Sequence, residues 1–258
     1  MLDPAEYHDA LACLEWQVEL GADEAICETP VDRYAAAHAA AEAKAAAAAA
    51  PPVADAPRAP DARPDPAAQA RAVARAAADL EGLRHALAAF EGIEAKQGAR
   101  NLVFSDGDPG APVMVVGEAP DRDEDNAGHP FAGAPGALLD RMFAAIGMSR
   151  AGGDIYLAAA MPWRLPQTRD AEPDEIAAMQ PFLERHIALA DPRIVVAMGN
   201  LPCRMLLGRD GIGRLRGGWT EALGRPVLPM LSPAHLLRVP AAKRDAWADL
   251  LALAARIG

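Results

Sequence analysis

The sequence predicts an α/β fold with a parallel β-sheet and helices on both faces. Three observations carry this. Four short apolar runs, "PVMVVG" (112–117), "DIYLAAAM" (154–161), "RIVVAMG" (193–199) and "PVLPML" (226–231), are continuous rather than alternating, as strands buried on both faces are. Helical patterns separate them, which is the rhythm of crossover connections between parallel strands. Polar, Gly- and Pro-bearing segments then follow each run: "GEAPDRDED", "PWRLP", "GNLPC" and "SPAHLLR". In parallel sheets sites form at the carboxyl ends of strands, so these four segments are expected to converge.

The elements follow in order. Residues 6–20 have helical spacing at Leu11, Leu14 and Val18 and stop at Gly21. Residues 45–66 are a Pro/Ala linker, whose small side chains bury too little surface to offset chain entropy. A helix is expected over 69–90, with Val73, Leu80, Leu83, Leu87 and Phe90 on one side. "GALLDRMFAAIGM" (136–148) is amphipathic and ends near Gly147. Pro173 and the acids beside it open a helix over 172–190. A helix over "LPCRMLLG" follows the third strand, and "KRDAWADLLALAARI" closes the chain as another. The organisation expected is an N-terminal helical segment (1–34), an Ala/Pro-rich linker (35–68) and one domain (69–258).

Composition bounds the setting. The hydrophobic fraction of 52% is inflated by alanine, and no apolar run is long enough to span a membrane. The acidic N-terminus lacks the basic region of a signal peptide. Three cysteines, Cys13, Cys27 and Cys203, have no metal-type spacing and suit reduced thiols, so a cytoplasmic location is expected. A net charge of -11 argues against nucleic acid until its distribution is considered. Residues 193–258 hold 10 basic and 4 acidic side chains, a basic region able to meet phosphates or simply solvent.

The stretch "VVGEAPDRDEDNAGHPFAGAPGALLDRM" (115–142) is the most specific. With "DIYLAAAMPWRLP", "EPDEIAAMQPFLERHIALADPRIVVAMGN", "GIGRLRGGW" and "PMLSPAHLLRVPAAKRDAWADLL", in this order, it resembles the iron–sulfur (family 4) branch of the uracil-DNA glycosylase superfamily over about 81–258. The resemblance implies a three-layer α/β/α sandwich around a four-stranded parallel sheet. It also implies a base-excision repair activity: a uracil is turned out of DNA and its bond to deoxyribose is hydrolysed. Carboxylates suit the positive charge that forms on the sugar, and hydrogen-bond donors suit the departing base.

Carried over by resemblance, Glu118 is the catalytic carboxylate and Phe131 the ring that stacks on the base. Without the motif, the first would read as a cap or ion-pair partner and the second as core. Asp121 replaces a glycine and would crowd the pocket with negative charge. The run Asp121, Asp123, Glu124, Asp125 with His129 reads as solvated loop acids rather than a metal site. Arg216, His235, Leu236, Leu237 and Arg238 are the expected DNA contacts, with the two leucines as a minor-groove wedge. His235 stands where the family has tyrosine, and three residues along a loop from Ser232 it is expected to point away from the pocket.

Several positions depart from the family. The base-reading asparagine is Ala159. The catalytic histidine is Ser232, whose hydroxyl offers one short donor. An unpaired polar group on a bound base costs roughly 1–3 kcal/mol, and a lost oxyanion donor costs about 10²–10³ in rate. The four cluster cysteines map to Phe90, Ile93, Trp163 and Met179, so no cofactor is expected and the four are expected to fill the space as an apolar plug. Two readings follow: a DNA glycosylase whose uracil excision is weak, lost or altered in base choice, or a non-catalytic module binding DNA or a repair partner. The N-terminal segment would tether such a partner or pack on the domain, the domain would act as a monomer on single- or double-stranded DNA, and no membrane is involved.

Overall fold

The computed structural model describes residues 66–166 and 169–257. The N-terminal segment 1–34 and residues 35–65 of the expected linker lie outside the described residues, as does the basis for any N-terminal partner. Helix α1 (Pro66–Ala76) begins inside the linker as first drawn, at Pro66 rather than at 69. The single helix expected over 69–90 is two, α1 and α2 (Leu80–Ala89). Asp79 divides them: its backbone is extended (φ −143°, ψ 178°) and its carboxylate accepts the Gly82 N–H at 2.7 Å, so it caps the second helix.

One sheet of six strands forms the centre: β1 (Ser105–Gly107), β2 (Val113–Gly117), β3 (Ile155–Ala159), β4 (Ile194–Met198), β5 (Thr220–Ala222) and β6 (Arg225–Met230). Their order is β1-β3-β2-β4-β6-β5. The expected four-stranded parallel sheet is the middle, β3-β2-β4-β6. Two short antiparallel strands extend it at the edges. The β5–β6 hairpin turns through Leu223 (φ 53°) and Gly224 (φ 71°), the paired positive φ values of a tight two-residue turn.

Alternation along the strands divides the core. Met114, Val116, Tyr156, Ala158, Val195 and Ala197 face one cluster, with α1, α2, α5 (Pro173–Ala190) and α6 (Asn200–Leu207). Val113, Val115, Ile155, Leu157, Val196 and Met198 face the other, with α4 (Gly133–Ala144), α8 (Pro233–Arg238) and α9 (Lys243–Ile257). The result is the three-layer α/β/α sandwich, completed by α3 (Arg122–Ala127) and α7 (Ile212–Leu215) in the connections. Among the described residues no helix is long and apolar enough to cross a membrane.

The first of these clusters contains Phe90, Ile93, Trp163 and Met179, none more than 5% exposed. Phe90 meets Phe182 edge to face at 5.2 Å between ring centroids. Nearby, His186 is buried, its Nε2 lies 2.8 Å from the Tyr156 hydroxyl, and its ring stacks on Phe104 at 4.2 Å. Burial pushes the His186 imidazole down to about 3, so it is neutral in the fold.

Candidate functional site

A cavity of about 370 Å³ opens beyond the carboxyl ends of β2, β4 and β6. Glu118 enters it directly after β2, Asn200 after β4, and Ser232 after β6. This is the convergence that the strand order dictates. The "PWRLP" segment after β3 contributes Leu165.

Glu118 is solvent-exposed and held from one side: its Oε1 accepts the Asn200 backbone N–H, the first of α6, at 3.1 Å. Gly199 makes this approach possible. Its φ is 111°, and a Cβ there would lie 2.3 Å from the Glu118 carboxyl carbon. The second carboxylate oxygen has no partner among the described residues. A carboxylate so placed can orient a water or oppose a developing positive charge.

Ser232 caps α8, its Oγ accepting the His235 N–H at 3.4 Å. The segment expected as a loop is therefore a short helix, with Pro233 at its first position. Helical spacing brings Ser232, His235 and Arg238 onto one wall of the cavity. His235 was expected to point elsewhere along a loop; the helical turn brings it into the lining beside Ser232. The same turn sends Leu236 the other way, into the core at 1% exposure, so it is not available as a wedge. Leu237 is 40% exposed and remains presented to solvent.

Asp121 lines the cavity, but its carboxylate is engaged. It caps α3 by accepting the Asp123 and Glu124 N–H groups at 2.8 and 2.9 Å, and Glu124 Oε2 returns a bond to the Asp121 N–H at 2.8 Å. The other oxygen of Glu124 accepts the Phe131 N–H. Burial raises the Glu124 carboxyl, against those two backbone bonds. Asp125 is buried and accepts from the Arg100 and Asn101 amides and from Arg164. Its own burial would raise its carboxyl, but these bonds hold it below the usual range. Asp121, Glu124 and Asp125 are thus helix cap and core anchor rather than solvated loop acids, Asp123 is exposed, and no group of three side chains placed to hold a metal ion occurs among the described residues.

Phe131 and Ala159 do not line this cavity. Phe131 is 6% exposed at φ 54°, pinned by Glu124 at its N–H and by Arg150 at its carbonyl, 3.1 Å away. Its ring lies where a Cβ on Gly117 would sit, 2.7 Å from Cζ. Ala159 pairs with Gly117 across the strands and is also buried. Arg216, expected on DNA, is committed internally: it donates to both carboxylate oxygens of Asp249, which is 1% exposed, and to the Asp245 carbonyl. Arg238 has no protein partner among the described residues and stands at the cavity rim.

Two side chains that sequence reasoning passed over complete the site. Asn200 Oδ1 accepts the Gly211 and Ile212 N–H groups at 3.3 and 2.9 Å, which leaves its NH2 as a donor in the lining. Asp170 adds a carboxylate to the lining. The "GNLPC" phrase marked the place of Asn200 but not its role.

A family model described as the Uracil DNA glycosylase superfamily matches residues 104–251. The chain is 32% identical over 160 residues to the type-4 uracil-DNA glycosylase of Pyrobaculum aerophilum, covering 58% of this chain and 81% of that protein. It is 32% identical over 158 residues to the type-4 uracil-DNA glycosylase of Archaeoglobus fulgidus, covering 58% and 78%. A match of 37% over 124 residues to that of Saccharolobus solfataricus covers 46% and 56%. The family model spans more than half of the chain, and two of these relatives are matched over more than two thirds of their length: the chain belongs to the uracil DNA glycosylase superfamily.

Proposed function

We propose that this protein binds DNA in a base-excision repair setting, takes an extruded base into the cavity beside Glu118, and excises uracil weakly or not at all. The observation that carries this is the composition of the cavity. Glu118 is held against α6 with one oxygen open, and Ser232, His235 and Asn200 supply donors around it. No polar side chain reaches the cavity from the end of β3, where Ala159 stands buried outside the lining. A base entering the cavity finds a carboxylate for the sugar side, but its polar edge is met only by donors on α6 and α8.

The cluster positions bear on the same reading. Phe90, Ile93, Trp163 and Met179 offer no thiolate, and they are buried together in one apolar cluster. They do not fit an iron–sulfur group. In their place they supply packing between α2, the segment after β3, and α5.

A non-catalytic DNA-binding module is favoured by one observation, the burial of Phe131 against Gly117, which withholds a stacking ring from the cavity. Both readings require DNA. The test is a duplex carrying 2-aminopurine beside a uracil. Saturable binding with a rise in 2-aminopurine fluorescence supports base extrusion. Binding without that rise favours the module, and no binding removes both.

A further inference from the structure

We propose a second nucleic-acid contact on the far side of α8: a groove in which Trp247 stacks on an unpaired nucleobase while Lys243 and Arg244 hold its phosphates. This rests on the DNA-binding reading above. The groove, about 170 Å³, is lined by Leu138, Met142, Leu236, Leu250, Lys243 and Trp247. Its floor is the apolar face between α4 and α9. Its rim carries an indole that is 44% exposed and, one helical turn before it, an ammonium.

Three features select DNA as the occupant. The first is charge. Asp245 and Asp249, the acids of this end of α9, are answered by Arg216. Lys243, Arg244 and Arg238 have no protein partner among the described residues, so this corner is left with uncompensated positive charge. The second is placement. Lys243 and Arg244 sit in the first turn of α9, where the helix dipole disfavours cations. Folding gains nothing from them there, whereas an anion does. The third is continuity. Helix α8 is the common wall: His235 and Arg238 face the cavity, Leu236 faces the groove, and Leu237 and Val239 are exposed beside them at 40% and 44%. A strand that delivers one base to the cavity runs past this wall, and an aromatic face next to free cations is how single strands are held without sequence preference.

The experiment uses the full chain and a fluorescein-labelled single-stranded oligodeoxynucleotide, followed by anisotropy across a salt series. Trp247→Ala is expected to weaken binding roughly 5- to 100-fold, with the deficit persisting at high salt, and Trp247→Phe to restore most of it. Lys243→Gln with Arg244→Gln is expected to reduce the salt slope by about 1.4. Thermal denaturation checks that each variant is folded, and size exclusion reports self-association. Binding by the wild type that Trp247→Ala leaves within twofold overturns the groove while keeping the DNA reading. A wild-type dimer that Trp247→Ala dissociates also overturns it, since a second copy is then the occupant. No DNA binding by the wild type at all overturns the proposed function beneath it.

Discussion

The Glu118 carboxylate fills the space that any side chain at position 199 would need, its carboxyl carbon 2.3 Å from a Cβ built on Gly199. The contact joins the end of β2 to the start of α6 and fixes a carboxylate with an oxygen open to the cavity. Gly199→Ala therefore meets two obstacles, a φ of 111° and the Glu118 side chain. We expect a loss of about 1–3 kcal/mol in urea denaturation. Loss of base extrusion should exceed that of Glu118→Gln, because the neighbouring amide moves too. A Gly199→Ala protein of wild-type stability would show that this approach is not tight.

Met179→Ala and Trp163→Ala should each cost about 2–5 kcal/mol, since both side chains are buried in the cluster that also holds Phe90 and Ile93. Urea denaturation measures this directly. The purified protein should also be colourless and release no iron on acid treatment; stoichiometric iron would contradict the packing account.

Arg216 and Arg238 should separate in their effects. Arg216→Ala leaves Asp249 buried without its partner and should destabilise by about 3–5 kcal/mol. Arg238→Ala should leave the thermal midpoint nearly unchanged and lower the salt dependence of DNA binding. A salt slope altered by Arg216→Ala in folded protein would place that guanidinium on DNA after all.

His186 gives a pH dependence whose sign is fixed by burial. Its imidazole is pushed down to about 3 in the fold from its ordinary value near 6.5. Between these values the unfolded chain binds a proton that the folded chain does not. Stability contributed by the neutral ring is present above 6.5 and is lost as pH falls toward 3, at up to about 1.4 kcal/mol per pH unit. Asp125, held below the usual carboxylate range, adds a second loss that begins only below about pH 4. His186→Phe should flatten the profile between pH 6.5 and 4 and leave the acid limb in place. An unchanged profile would mean that the ring is solvated.

The central strands were legible because a strand buried on both faces reads as an unbroken apolar run, as "VMVVG" and "IVVAM" do. The edge strands, "SDG" and "TEA", are three residues each, polar and half-solvated, and nothing in their pattern marks them. Capping chemistry was present but unread. Asp121 with Glu124 spells a capping box, Asp79 ends one helix and starts the next, and Ser232-Pro233 opens a third. That last misreading displaced two residues at once, since a loop would leave Leu236 free and His235 remote, whereas a helix buries the first and presents the second. Position after a strand sufficed to place Glu118 and Ser232 in one cavity. It could not reveal that Phe131 turns inward, because its backbone is set by Glu124 and Arg150, the latter 19 residues further along the chain.

Uracil excision, measured as alkali-labile breaks in a uracil-containing oligonucleotide, is the most direct test of the cavity's chemistry. Wild-type protein should cut very slowly or not at all. Ala159→Asn with Ser232→His should raise the rate by at least tenfold, and Glu118→Ala in that background should abolish the gain. Efficient excision by the wild type, with Ala159 and Ser232 as they are, would contradict the account.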